Sequence, residues 1–523
     1  MNRALSLAAF VVPFALLAAT VQTDVQFWDI GEFQTVPYIF GIAHPTGFPV
    51  YVFLGWIITH AIPVGSVAMR ISLLSALATA SSAWLAFALT RRIAGSALFG
   101  LITSLLFVAT PLAWLRGTRA DVHPLALTFT AAAFYAAYCF RETGEVRHLY
   151  LAAIFDGLGL GTHPVAIWSL PAQTVLVGFR LHPLSFRQWA TAILLVCLGL
   201  ATYFYMPLRS AQLTAAGTDP TVGLGYDRGM PYWDYGHTAD LRRFVVQVTG
   251  QQLVDCPRPQ PLALYTGRAC VTWKAGGQGL RAYIDFGHYP DYFFNALRVE
   301  KQNLGWLGLI VAAIGLCALW SRTDKVPAVA VTLLAAAGIP FAFGYLEETD
   351  KDRYLFQTLW STAFCFGMGL AFVRSSLERR IRWATPLTAA FGTVIVVAVA
   401  YTTYVSDNLR AVNNDQGARA YVDRIRMNTP SDAIVVSAWL YSTPVAYGIF
   451  VDHTLGHRII VTAEPLTQTA EMAAFSQTRC VVVALPPTSP PLAGDDLLVR
   501  RLGRGEPTLE AVRKRGYTDR CHP

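Results

Sequence analysis

The sequence predicts a mostly α, polytopic membrane protein of about eleven transmembrane helices. It adds an in-plane helix in the first outer loop and a small C-terminal α/β domain. Three observations predict this. Of 523 residues, 54% are hydrophobic and 14% charged, with a mean hydropathy of +0.40, whereas a soluble chain of this size carries about 25% charged residues. Apolar runs of roughly 17 to 22 residues, long enough to cross a bilayer core, recur as far as residue 405. From residue 406 onward the apolar runs are short and β-branched, as strands are.

The expected spans are residues 4–21, 68–89, 96–114, 121–140, 149–162, 165–179, 189–207, 303–320, 326–344, 354–373 and 384–405. The first also reads as a signal peptide, because Ala18-Ala19-Thr20 loosely resembles a cleavage site. An uncleaved helix is favoured, since only Arg3 precedes the apolar run and the acidic stretch beyond it gains from staying tethered. The runs 149–162 and 165–179 are short for full spans.

Charge sets the orientation, because cytoplasmic loops collect Lys and Arg. The segment Pro49–Ile62 is apolar but bracketed by Pro49 and Pro63, and as a helix it covers about 21 Å of the roughly 30 Å core. If it lies in the interface, the next helix ends inside at Arg91-Arg92. Inside loops then hold Arg141 and Arg147, Arg180 and Arg187, Arg322 and Lys325, and the cluster Arg374, Arg379, Arg380 and Arg382. If it spans, all of these fall outside. The N-terminus is therefore expected in the cytoplasm and the C-terminus outside. The net charge of +8 follows from these loops and calls for no nucleic acid.

The expected division is a transmembrane domain over residues 1–405, with a first outer loop at 22–67 and a long outer loop at 208–302, then an extracytoplasmic α/β domain over 406–523. In the tail, "DAIVVSAW", "HRIIVTA" and "CVVVAL" read as strands, with a helix around Thr443–Phe450. Its Pro- and Arg-rich end reads as partly mobile. Four of the eight cysteines, Cys139, Cys197, Cys317 and Cys365, lie in or beside spans. Cys256 with Cys270, and Cys480 with Cys521, form two even sets on the outer side. These permit two disulfides, or stay as free thiols.

The residues that can carry chemistry lie on that outer side. In "TDVQFWDIGEFQTVPYIFGIAHPTGFP", Asp29 and Glu32 are three apart, so one helical turn puts both on one face. Beside Phe27, Trp28 and Phe33, partial desolvation would lift a carboxylate toward the range of a general base. An ordinary solvated loop with an aromatic belt is the plainer reading, and Asp24 reads as solvated charge. His-Pro pairs at His44, His123 and His163 sit at helix starts, where Pro suits the first turn. They cap helices or line one cavity, and they lack the spacing of a zinc site. Arg116, Arg119, Arg209 and Arg353 are exceptions to the positive-inside bias. A guanidinium at a helix end suits a phosphate, while snorkelling, or pairing with Asp121 or Asp352, is the alternative. No Walker loop, GxGxxG or CxxC pattern occurs.

The run "DIGEF…GIAHPTGFPVYVFLGWI…AMRISLLSALATA…ALTRRI" resembles the GT-C superfamily of polyprenyl-phosphate-dependent glycosyltransferases. More narrowly, it resembles a bacterial membrane family whose eukaryotic relatives include a protein O-mannosyltransferase. Further matches are "GLGLGTHPVAIWSLPA", "YMPLRSA", "FVVQVTGQQ" and "PSDAIVVSAWLYSTPVAYGI". The stretch after Arg209 departs from the pattern, being longer than the family's compact Pro/Asp/Trp-Gly segment.

The resemblance implies a GT-C-like fold and a multi-pass protein of the bacterial cytoplasmic membrane. It implies one inverting displacement from a polyprenyl-phosphate sugar, mannose among the candidates, to a hydroxyl on a protein, lipid or glycan. Asp29 aligns with the catalytic first-loop Asp, and Glu32 is a supporting carboxylate or a sugar or metal contact. His44, Arg119, His163, Arg209 and Arg353 are candidates for binding the donor phosphate or sugar. No cofactor is required and no metal ligands are assigned, although a divalent cation is permitted. Two other readings compete. A transporter or flippase would carry charges within its spans and an internal repeat, yet the spans are nearly free of acids apart from Asp156. A non-catalytic envelope assembly protein would have no use for the D-x-G-E motif.

Overall fold

The structure, a computed structural model, describes residues 2–179, 184–221, 224, 234–250, 252–255, 269–272, 280–344, 350–406, 409, 411, 415–463, 465–467, 469–490, 492 and 496–522. The chain folds as two compact units interleaved along the sequence. One comprises Met1–Gln22, Ser72–Thr202 and Lys274–Asn413, the other Thr23–Ile71, Tyr203–Trp273 and Asn414–Pro523.

The first unit is helical. It begins with α1 (Asn2–Ala18) and contains the helices His123–Thr143, Val146–Thr162, Phe356–Leu377 and Ala384–Val405. Local chemistry sets their ends. Ser96 caps the helix Ala97–Ala109, and Ser185 with Gln188 forms a capping box at Phe186, each satisfying backbone N–H groups that have no intrahelical partner. Glycine sets the closest approach. A Cβ on Gly315 would lie 1.8 Å from the Cys365 carbonyl, and one on Gly369 2.0 Å from that of Val311, so Tyr289–Trp320 and Phe356–Leu377 pack backbone to backbone.

Across the described residues, six helices are long and apolar enough to cross a membrane. They are Val67–Ala94, Phe186–Ala215, Phe286–Trp320, Val326–Gly344, Lys351–Leu377 and Ala384–Val405. The pair Ala97–Ala109 and Pro111–Gly117, bent by 71°, makes a seventh if it counts as one span. The bend falls at Thr110-Pro111, where proline disfavours a helical residue before it. The other expected spans form helices that are shorter or more polar: α1, His123–Thr143, Val146–Thr162, and the 3-10 turn Pro164–Ser169 leading into Leu170–Gly178.

The second unit holds α2 (Trp28–Thr35) and α3 (Pro49–Ala61), the latter starting at the proline that sequence marked. It also holds the helices Tyr205–Ala215 and Leu241–Val248, and an antiparallel pair β1 (Gln252–Asp255) and β2 (Ala269–Thr272). The tail is a five-stranded mixed sheet of β3 (Ile434–Ser437), β4 (Ile459–Thr462), β5 (Val481–Leu485), β6 (Leu497–Arg501) and β7 (Thr508–Lys514), in the order β4-β3-β5-β7-β6. β3 pairs in parallel with both β4 and β5, and all three are buried along their length. That explains their unbroken β-branched runs, since parallel strands bury both faces.

Two tail expectations change. The helix begins at Trp439, four residues before the expected Thr443, and ends at Phe450. The end read as partly mobile instead contains β6 and β7, paired antiparallel, and a Cys480–Cys521 disulfide that ties Cys521 to the start of β5. Leu497, Leu509 and Val512 are buried there, so sparse apolar positions at strand spacing outweigh the polar composition. The other expected pair, Cys256–Cys270, lies outside the described residues and side chains.

Candidate functional site

The site grows from α2. Asp29 lies in its first turn, where the helix dipole favours a carboxylate, and Glu32 follows one turn on. The glycine of the D-x-G-E motif has a geometric cause. A Cβ on Gly31 would meet the Gln26 carbonyl at 2.3 Å and the Thr443 hydroxyl at 2.8 Å, so only glycine lets α2 lie this close to the helix Trp439–Phe450.

The two carboxylates then diverge. Glu32 is fully buried, and both its oxygens are engaged by His44. The His44 backbone N–H donates to Oε1 at 2.7 Å, and its Nδ1 makes a short contact with Oε2. Burial pushes the Glu32 carboxyl above its ordinary value, against the opposing pull of His44. Asp29 is only partly buried and accepts a hydrogen bond from Trp439 Nε1 at 2.9 Å. The side chains of Asp29, Glu32 and His44 bring potential ligand atoms within 4.8 Å of one another. Two carboxylates and an imidazole suit a divalent cation in donor type. Sequence spacing did not reveal this grouping, because a loop closes it.

The His44 loop is held from several sides. Phe33 packs on His44, Phe48 and Tyr51 at ring distances of 5.4–5.7 Å. Tyr205 donates to the Gly41 carbonyl at 3.1 Å, the Tyr235 N–H to that of Ile42 at 3.2 Å, and Gln247 to that of Ala43 at 2.6 Å. Arg209 donates to the carbonyls of Phe40 and Ile39, to Gln212, and lies over the Phe40 ring. Among these bonds it meets no carboxylate, so its charge is left unneutralised by them. Asp24 departs from the sequence reading. It accepts two bonds from Arg419, at 2.8 and 3.0 Å, and Arg419 also reaches Asp452 at 2.7 Å. Ordinary solvated charge is thus a tie between the first loop and the tail, whose partner lies 395 residues away.

The other arginines and His163 occur in the first unit. Arg116 is fully buried and binds Asp121 at 3.0 Å and also Asp350; Arg119 reaches Asp350 at 3.2 Å. Pairing, the alternative reading for these arginines, therefore holds, with Asp350 in place of Asp352. Burial, followed by the neighbouring Arg116, pushes Arg119 down to about 10. Arg353 lies over the Tyr354 ring and lines a narrow cavity with His123, Trp168 and Gln357. His163 caps the turn after it, accepting the Val165 N–H at 3.1 Å, and its ring lies 4.7 Å from that of His123. Structure thus brings Asp29, Glu32, His44 and Arg209 into one unit, and Arg119, His163 and Arg353 into the other.

Sequence reasoning passed over Trp439 and Tyr235. Trp439 touches Asp29, and its ring packs edge-to-face on His44 at 5.8 Å and on Tyr235 at 5.9 Å. The available signal was an aromatic placed directly after the strand run "AIVVSA", where α/β sheets present ligand-facing residues.

Comparison with known proteins bears on this arrangement. The family described as Protein O-mannosyl-transferase TMEM260 N-terminal domain matches residues 29–185, beginning at Asp29. The chain is 28% identical to Protein O-mannosyl-transferase TMEM260 of Mus musculus over 42% of its length and 33% of that protein's. It is also 28% identical to Protein O-mannosyl-transferase tmem260 of Dictyostelium discoideum over 66% of its length and 45% of that protein's. The chain thus spans less than half the length of the curated relatives it matches. Two crystal structures of ArnT from Cupriavidus metallidurans share its fold. One is bound to undecaprenyl phosphate and the other is apo, with TM-scores of 0.54 and 0.56, 10% and 9% identity, and coverage of 96% of this chain and 97% of theirs. In sequence the chain resembles the TMEM260 O-mannosyltransferases, and in fold it resembles ArnT.

Proposed function

We propose that the chain is an inverting glycosyltransferase that moves a hexose, mannose by likeness to its relatives, from a polyprenyl phosphate to an acceptor hydroxyl on the outer side of the membrane. The observation that carries this is the division of labour between the two first-loop carboxylates. Both Glu32 oxygens are occupied by His44, whereas Asp29 is partly exposed and held by Trp439.

In the proposed step, Asp29 takes the proton of the acceptor hydroxyl as its oxygen bonds to C1 of the sugar. The C1–O bond to phosphate breaks, and polyprenyl phosphate departs with the electron pair. Glu32 fixes His44, which contacts donor or acceptor. Arg209 offsets phosphate charge; in the other unit, Arg353 with Arg119 and His163 is a second candidate for anion contact, tested by its own substitutions. No metal is needed for so good a leaving group; a divalent cation, if bound, would be held by Asp29, Glu32 and His44. The reading also carries about eleven spans, a cytoplasmic N-terminus, and a protein hydroxyl as acceptor, after the names of the relatives.

The test is transfer of radiolabelled mannose from synthetic polyprenyl-phosphate mannose to a Ser/Thr peptide by the purified full chain. Asp29→Asn should abolish transfer while the protein still folds. Undiminished transfer in that variant removes Asp29 as the base. Label appearing only in lipid or glycan when membranes are supplied corrects the acceptor.

A further inference from the structure

We propose that Trp439, delivered by the C-terminal α/β domain, is the positioning residue of the catalytic base: its indole N–H holds Asp29 Oδ1 and directs the acceptor's proton to Oδ2. This rests on the proposed glycosyl transfer and adds a residue from a part of the chain outside residues 29–185, the extent of the family match.

Trp439 opens the helix that follows β3, after an extended Ala438 (φ −63°, ψ 163°). β3 is flanked in parallel by β4 on one side and β5 on the other. Its connection runs first to β4 and the chain later returns to β5, so the end of β3 is a topological switch point. Open α/β sheets bind ligands outside the carboxyl ends of their strands at such a point. In this protein the side chain presented there meets a carboxylate of the first loop.

The chemistry of the contact suits positioning. An indole N–H donates and cannot accept, so Oδ1 is fixed as an acceptor and Asp29 cannot turn freely about its last torsion. The indole itself is walled edge-on by His44 and Tyr235, the former locked by Glu32. Gly31 and Thr443 set the distance between the two helices from one turn further along. The first-loop acid is thus oriented by Trp439 together with His44 and Tyr235, which come from three separate segments of the chain.

The experiment uses full-length protein in nanodiscs. Trp439→Phe keeps an aromatic ring for the His44 and Tyr235 contacts and removes the N–H donor. With polyprenyl-phosphate mannose and a Ser/Thr peptide, kcat is expected to fall about 10- to 100-fold, as misplacement of a reacting group does. The donor KM should stay within about twofold and the melting temperature should not change, and adding Asp29→Asn should cost no more than Asp29→Asn alone. A kcat within about twofold of the parent, or a loss that multiplies with Asp29→Asn, overturns the proposal. A second readout is independent of activity. With 15N-indole tryptophan, the Trp439 signal, assigned by its absence in Trp439→Phe, should move on Asp29→Asn. If the parent transfers no mannose, the proposed function fails, and the indole signal alone decides the contact: an unmoved signal overturns the positioning role.

Discussion

The first-loop acids and the arginine–aspartate cluster of the other unit are two conspicuous groups of charge, and they are built in opposite ways. Around Arg116, burial is matched by pairing, with Asp121 and Asp350 answering Arg116 and Arg119. Around α2, one carboxylate is buried against a histidine while its neighbour is partly exposed and accepts a bond from Trp439. A charge prominent in the sequence is therefore not always chemically available. The structure separates charges buried in pairs from one that is partly exposed.

That contrast can be broken from either side. The largest effect expected is that of Asp29→Asn, a fall in transfer of about 10²- to 10⁴-fold, the worth of a general base, with unchanged thermal unfolding; a comparable loss of stability would put Asp29 with the architectural charges. Next comes Arg116→Met, which removes the buried cation shared by Asp121 and Asp350 and leaves them only His123 and Arg119. Removing one partner of a buried pair costs about 3–5 kcal/mol, so solubilised protein should lose stability by that order in thermal unfolding. A stability within about 1 kcal/mol of the parent would mean the cluster is not structural.

Gly31→Ala should cost about 1–3 kcal/mol by overpacking and also lower activity, because the new methyl forces α2 away from the helix that carries Trp439. Stability and transfer measured on the same preparation check both. A smaller effect is pH-dependent. Burial pushes the Asp350 carboxyl up, but Arg116 and Arg119 outweigh it and hold it below the ordinary carboxylate range. A depressed carboxylate stabilises the fold above its unfolded value, about 3.9, and that contribution is lost as pH falls through the folded value. Below about pH 4 the parent's melting temperature should therefore fall more steeply than that of Asp350→Asn. The smallest effect expected is that of chelation: EDTA should leave transfer within about twofold if Arg209 offsets the phosphate charge without a metal, and a larger loss would recast Asp29, Glu32 and His44 as metal ligands.

Much of the fold was legible. Apolar length marked the long helices, Pro49 marked the start of α3, and β-branched runs marked β3, β4 and β5 to within a residue or two. β6 and β7 escaped because their burial is one-sided and interleaved with arginines. In the site, the D-x-G-E motif was visible as two acids on one face, yet their spacing alone did not distinguish them.

The sequence by itself determined the class of molecule, the position of the acids at a helix start, and the resemblance that named Asp29. The first two depend on composition, periodicity and local spacing, and the third on likeness to a family's motifs, all of which a chain carries without folding. The tertiary structure decided what each charge is paired with. Glu32 is spent on His44, Asp24 on Arg419 and Arg116 on two aspartates, while Asp29 is kept for Trp439. Pairing and burial depend on which side chains arrive from elsewhere, and four of these five pairings join residues 12 to 410 positions apart. Folding had to bring those residues together before their charges acquired different roles.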